Sequence, residues 1–198
     1  MSRIARALVA VGALAISATV FAQAYPSKPL KLIVPFTAGS GPDLVARLVA
    51  AEMTKSMGKP VIAENRVGAG GRIAAEMNAR SAPDGYTFGL GTTSMHLVGP
   101  HVVKDIRYDW LKDFTPISLA VHPMSGVIVP TTLKVNSVEE FLAYAKKNPG
   151  KLAYASNGIG SSHHLAGEAI KIAAGIDMLH VPFKGSNEGL NAILSGQV

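Results

Sequence analysis

Four segments of this sequence place Gly, Ser and Thr between an apolar run and a helix-like run. They are Phe36–Asp43, Asn65–Arg72, Gly91–His96 and Asn157–Ser162, and Lys184-Gly185-Ser186 is a shorter fifth. The chemistry open to such segments is anion binding. Glycine lets the main chain approach a ligand closely. The first N–H groups of a helix have no internal partner and carry positive partial charge. Ser and Thr hydroxyls add donors. One such loop is an ordinary connection, but five that open on one cleft can hold a carboxylate without an arginine.

Other chemistry fails on spacing. Four G-x-G triplets start at Gly39, Gly68, Gly89 and Gly158, yet Leu44, Ile73, Ser94 and His163 stand where a dinucleotide fingerprint needs its third Gly. No Gly-Lys-Ser/Thr of a phosphate loop and no G-x-S-x-G nucleophile elbow is present. His163 and His164 are neighbours and diverge on a helix, and His164 with Glu168 offers two metal ligands at most. His101 and His122 read as surface or loop residues. Asp43 has two readings, a helix-dipole partner or a carboxylate that orients loop amides or a bound water.

The elements that must carry these loops alternate. Leu30–Pro35 reads as a buried strand and Pro42–Met57 as a helix, with Leu44, Val45, Leu48, Val49, Met53 and Met57 at helical spacing. Pro42 suits a first helical position and Gly58 a C-terminal cap. Val61–Glu64 and Thr87–Leu90 follow as strands around a helix over Arg72–Ser81. Tyr108–Phe114 reads as an aromatic-packed turn, and Ile117–Val121 and Val127–Val129 as strands. Ser137–Asn148 is a helix with Ser137 and Glu140 spaced as a capping box. Strand Leu152–Ala155, helix Ser162–Ala174, strand Met178–Val181 and helix Ser186–Leu194 complete an α/β pattern.

Composition agrees with a packed fold: 48% of residues are hydrophobic and 16% charged. Absence of cysteine removes disulfides, thiolate metal sites and a Cys nucleophile. Arg3 and Arg6 precede an apolar run, Ala7 to Ala22, and Ala22-Gln23-Ala24 is a small-x-small cleavage signal. Residues 1–24 therefore read as a signal peptide cut before Tyr25, which places the mature chain in the periplasm. The remaining basic residues are scattered, so the positive balance reads as solvated surface and not as a nucleic-acid platform.

Residues along the mature chain then form an ordered set. It begins with Tyr25-Pro26-Ser27-Lys28-Pro29, then Pro35-Phe36 with Ala38-Gly39 and Asp43, Glu64-Asn65-Arg66 and Gly68-Ala69-Gly70-Gly71. Ala82-Pro83-Asp84-Gly85-Tyr86-Thr87, Gly91-Thr92-Thr93 with His96, and Asp113-Phe114 with Pro116 follow. Asn157-Gly158 with Gly160-Ser161, His164-Leu165-Ala166-Gly167-Glu168, and His180-Val181-Pro182 with Lys184-Gly185 close it. In this order the chain resembles the extracytoplasmic solute receptors of tripartite tricarboxylate transporters, the Bug family.

The resemblance implies a two-lobed, periplasmic-binding-protein-like (type II) fold with mostly parallel sheets. The first lobe would take residues 25–122 and the second, incomplete here, residues 123–198. It implies a receptor and not an enzyme, without cofactor or metal, monomeric when complete. Its partners would be a small carboxylate and the permease subunits of a membrane transporter, with no nucleic acid. Phe36, Ala38, Gly39 and Asp43 would line the first lobe's side of the cleft, and Thr92, Thr93 and Ser94 would add hydroxyls. Asn157, Ser161 and His164 would face them, with Lys184 and Gly185 near the hinge side. Ser40 and Thr37 depart from the family's usual Gly and Pro, which bears on ligand choice. Members continue beyond position 198, so these residues are expected not to be a fully competent receptor alone. A sensor for a signalling partner, an exported Ser/His hydrolase and a truncated relic are the competing readings.

Overall fold

A computed structural model describes residues 24–122 and 124–198. The expected signal peptide, Ala24 excepted, lies outside the described residues. Among the described residues no helix is long and apolar enough to cross a membrane.

Strand β1 (Leu30–Val34) is the centre of a three-stranded parallel sheet, between β2 (Val61–Asn65) and β3 (Thr87–Gly89). Leu30 stands opposite Val61, Val34 opposite Asn65, and Lys31 opposite Thr87. Side chains alternate across a strand. Leu30, Leu32 and Val34 accordingly meet Ala46 and Ala50 of helix α1 (Gly41–Met57), while Ile33 meets Ala74 and Ala75 of α2 (Arg72–Ala79). Both faces are covered, which is why β1 is apolar at every position but Lys31. Each such side chain contributes about 1.5–3 kcal/mol on burial. Lys31 keeps its amine out of this core by pairing with Glu64 at 2.8 Å.

Helix α1 stops at Gly58. Its φ of +67° lets its N–H return to Thr54 O. The Thr54 hydroxyl accepts from Val61 N at 2.9 Å and so ties the helix end to the start of β2.

The second sheet pairs β4 (Leu152–Ser156) in parallel with β5 (Met178–Pro182). Helices α4 (Val138–Lys147) and α5 (Ser162–Ala174) supply its core with Phe141, Leu142, Ala145, Ile170 and Ala174. The last helix, α6 (Ser186–Leu194), lays Gly189 against Ala155 of β4. Gly167 of α5 faces Tyr154, and a Cβ there would run into the ring. In α4 the Ser137 hydroxyl accepts from Glu140 N at 3.2 Å. Glu140 reaches back one residue further than a capping box requires, accepting from Asn136 N at 2.8 Å.

Two expected strands are absent. Ile117–Val121 is exposed and unpaired, with Ile117 at 83% of its full exposure. Apolar, β-branched runs become strands only where a sheet edge accepts them. The edges formed here by β2, β3, β4 and β5 do not meet this segment. Val127 and Val129 instead line an apolar groove with Phe141, Leu142, Ile170 and Ala174. That groove lies at the C-terminal end of α5, away from the Gly-rich loops. Between the two sheets, a short π-helical segment (Ser94–Val98) runs into a short helix, α3 (Gly99–Val102), and a single turn follows at Thr131–Leu133. In a parallel sheet the strands share direction, so the loops after β1, β2 and β3 leave the same edge.

Candidate functional site

The loop after β1 is held by a buried carboxylate. Asp43, 1% exposed, accepts from Gly39 N at 2.9 Å, Arg47 Nε at 2.9 Å and Asn65 Nδ2 at 2.6 Å. Asn65 Nδ2 also donates to Phe36 O at 3.0 Å, and its Oδ1 accepts from Arg47 Nη2 at 3.0 Å. Burial alone would raise the Asp43 carboxyl. The Arg47, Asn65 and Gly39 donors outweigh it and hold Asp43 below the ordinary carboxylate range. Asp43 therefore fixes the loop from beneath, with both oxygens engaged by the protein. In the same loop, Thr37 Oγ1 and Ser40 Oγ are buried without a protein partner. Ser40 is the N-cap residue of α1, yet its side chain makes no cap bond.

Three loops of the first sheet meet two of the second, in three pairs of contacts. Asn187 Nδ2 donates to Ala38 O at 3.4 Å, and buried Gly185 lies against Thr37. A Cβ on Gly185 would stand 2.5 Å from Thr37 Cγ2. Its φ of −164° is open to any residue, so the reason for Gly is the close approach. In the second pair, Arg72 Nη1 reaches Ile159 O at 3.4 Å, and Gly70 lies over Ile159 and Ser161. Gly70 and Gly71 hold φ of +65° and +93°, which Gly adopts without cost. The third pair joins Ser94 Oγ to Ser162 N at 2.9 Å.

Behind the third loop lies an aromatic cluster. His96 is 8% exposed and stacks on Trp110 with ring centres 4.0 Å apart, with Phe114 at 4.9 Å and Tyr108 at 6.3 Å. Desolvation lowers its pKa from 6.5 to about 4. The Tyr108 hydroxyl donates to Met95 O at 2.6 Å. This is the body on which the Tyr108–Phe114 turn packs.

On the second sheet, His164, His180 and Tyr154 form a stack, with centroid spacings of 4.2 and 4.9 Å. Tyr154 donates to Glu168 at 2.7 Å, and Lys171 donates to the same oxygen at 3.1 Å. Those two donors hold Glu168 below its usual range, while burial and Glu168 push the Tyr154 phenol up. Ser156 Oγ lies 2.6 Å from His180 Nε2, the spacing of a nucleophile and its base. Ser156 is only 4% exposed, and its oxygen already accepts from Gly158 N at 3.1 Å. It shapes the turn after β4 and offers no surface to a substrate.

The expected site residues divide accordingly. Ala38, Gly39 and Thr93 are exposed on their loops, and Phe36 is half-buried against the first core. Thr92 braces its own turn by accepting from Met95 N at 3.2 Å, and Ser94 bridges the sheets. Asn157 bonds Ser186 at 3.1 Å, and buried Ser161 caps α5 through His164 N at 3.2 Å. The His164 ring accepts from Gly160 N at 3.3 Å, so it supports the loop it was expected to serve. The Lys184 side chain is exposed at the rim, while its N–H donates to Glu188. Among the described residues no group of three or more His, Asp and Glu side chains is placed to hold a metal ion. Arg72, Gly70, Ile159 and Asn187 were not singled out as site residues by the sequence. The first position after a Gly-rich loop was the signal available for Arg72.

Comparison with known proteins places this arrangement. The family model described as the tripartite tricarboxylate transporter family receptor matches residues 45–198. A Cupriavidus necator protein, the UPF0065 protein in the gbd 5' region, is 37% identical over 195 residues, or 98% of this chain and 59% of that protein. Among solved structures, Rpa4515 of R. palustris with adipate superposes with a TM-score of 0.79 at 33% identity, over 88% of this chain and 58% of that one. MatC from Rhodopseudomonas palustris with bound malate gives 0.77 at 31% identity, over 88% and 59%. The chain thus spans somewhat under two thirds of the relatives it matches, and the α/β fold with parallel sheets is that of periplasmic binding proteins. The ordered loops, the paired sheets and the family match over residues 45–198 agree that this chain belongs to the tripartite tricarboxylate transporter receptor family.

Proposed function

We propose that this protein captures a small carboxylate in the periplasm and passes it to the permease subunits of a tripartite tricarboxylate-type membrane transporter. In this reading residues 25–122 and 123–198 belong to two lobes, residues 1–24 direct export, and no bond of the ligand is made or broken. The observation that carries it is the meeting of Gly-, Ser- and Thr-rich loops from both sheets. Thr37 and Ser40 keep buried hydroxyls without a protein partner there, and a ligand oxygen can satisfy them. Adipate and malate in the related structures support an acid as ligand.

Capture then works by closure. A carboxylate between the loops replaces water on amides and hydroxyls that only the closed arrangement brings together. Phe36, Ala38, Gly39, Thr92, Thr93 and Ser94 act from one side, and Asn157, Ser161, His164, Lys184 and Gly185 from the other. Asp43 acts through the Gly39 amide that it fixes.

Gly185→Val tests this in the whole protein. Its side chain would collide with Thr37 only when the sheets approach. Overpacking of 1–3 kcal/mol corresponds to roughly a ten- to a hundredfold loss of affinity. Titration calorimetry against malate, adipate and related acids should show that loss, with an unchanged circular dichroism spectrum and melting point. Undiminished affinity in the variant, or heat of binding for no acid in the wild type, would contradict the reading.

A further inference from the structure

We propose that Arg72 binds the ligand directly, pairing with a second carboxylate and so selecting diacids over monoacids. This rests on the receptor reading given above and names the group that sets its ligand class.

Arg72 is the first residue of α2, half-buried between the two sheets. Its Nη1 stands 3.4 Å from Ile159 O and 3.8 Å from where a Gly160 Cβ would lie. Its Cδ is 3.9 Å from the corresponding point on Gly99. Guanidinium has five N–H donors, and this one uses a single bond of limiting length. Among the described residues no carboxylate lies within 4 Å of it. Glu76, four positions on and well spaced for an ion pair, turns to Arg80 at 3.8 Å. The Tyr108 hydroxyl is occupied by Met95 O.

Beyond the Ile159 carbonyl, what faces Arg72 is the positive end of a helix. Gly160 and the N-cap Ser161 lead into α5, a helix of 13 residues, and its N-terminal dipole end lies beside the guanidinium. The Ser161 amide is 4.0 Å from the point a Gly70 Cβ would occupy. A cation and a helix N-terminus, brought together from two sheets and partly screened from water, repel each other until an anion comes between them. No acidic side chain of the described residues supplies one. A ligand carboxylate fits both the charge and the fork of donors. With the first acid group at the Phe36–Ser40 loop, the ligand needs a second acid group for Arg72.

The test is calorimetric titration of the whole protein with succinate, glutarate and adipate against butyrate, valerate and hexanoate of matching length. The wild type should bind one diacid at least about tenfold tighter than its monoacid. Arg72→Gln should weaken that diacid by about ten- to a hundredfold and change the monoacid by less than about twofold. Arg72→Lys, which keeps the charge, should retain part of the preference, and thermal melts of both variants should match the wild type. Equal weakening of both acids by Arg72→Gln would make Arg72 only a strut between the sheets and overturn the proposal. So would a wild type that does not distinguish diacid from monoacid. Binding of no acid at all by the wild type would sink the receptor reading together with it.

Discussion

Asp43→Ala should lower the stability of the folded protein by about 3 kcal/mol, the largest loss expected from any residue that braces the loops. Asp43 is buried and gathers donors from three places: the Gly39 amide, the Arg47 guanidinium and the Asn65 side-chain amide. Truncation leaves the Gly39 N–H and one Asn65 donor without the carboxylate that joined them. Arg47 is half-exposed and returns to solvent, so its own cost is small. Asp43→Asn keeps the volume and one acceptor oxygen, and should cost about half as much. The same carboxylate predicts an acid limb. Its folded pKa lies below 3.8, so the stability it contributes is complete above that value and is lost as pH falls through the folded pKa. Urea unfolding of the two variants at neutral pH measures the effect, and an Asp43→Ala midpoint matching the wild type would remove Asp43 from its place as organiser of the loop.

His96 gives a second large effect, and its sign is opposite to that of a histidine paired with an acid. In the folded protein His96 takes up its proton only near pH 4, because it lies among Trp110, Phe114 and Tyr108. In the unfolded chain it does so near 6.5. Between those values the unfolded state holds the extra proton, so stability falls as pH falls. Nothing is lost above about pH 7, and the loss reaches about 3 kcal/mol at pH 4. His96→Phe keeps an aromatic in the stack and cannot titrate. The difference in unfolding free energy between wild type and variant should therefore shift in favour of the variant by that amount between pH 7 and 4. A difference that stays constant with pH would show that His96 protonates in place without penalty.

Much of this fold is legible from local sequence, since local rules set it. The expected helices Ser162–Ala174 and Ser186–Leu194 have the observed bounds, and Pro42–Met57 differs from α1 by one residue. Gly58 and Gly175 end their helices as left-handed caps. The β1 run is apolar at all positions but Lys31 because it is covered on both faces. Non-local facts are not written that way. Ile117–Val121 has the composition of a strand, but composition does not say whether a sheet edge is within reach. Asn187 and Ala38 are 149 positions apart, and only the meeting of loops from two sheets brings them together. Arg72 is the clearest case: the i,i+4 rule pairs it with Glu76, whereas packing turns Glu76 to Arg80 and leaves Arg72 facing the second sheet. His164 was expected toward a ligand, and its Nδ1 accepts from the loop amide of Gly160.

The central claim is that the facing loops bind a carboxylate only in the folded, closed protein. Thermal unfolding of the whole protein, with and without a panel of mono-, di- and tricarboxylates, tests it most directly. A ligand that binds only the native state must stabilise it, by about 2.7 kcal/mol at a hundred times its Kd. At least one acid should therefore raise the melting midpoint by several degrees, increasingly with concentration, while neutral analogues of the same length do not. A cooperative transition that no acid moves at millimolar concentration would contradict the account.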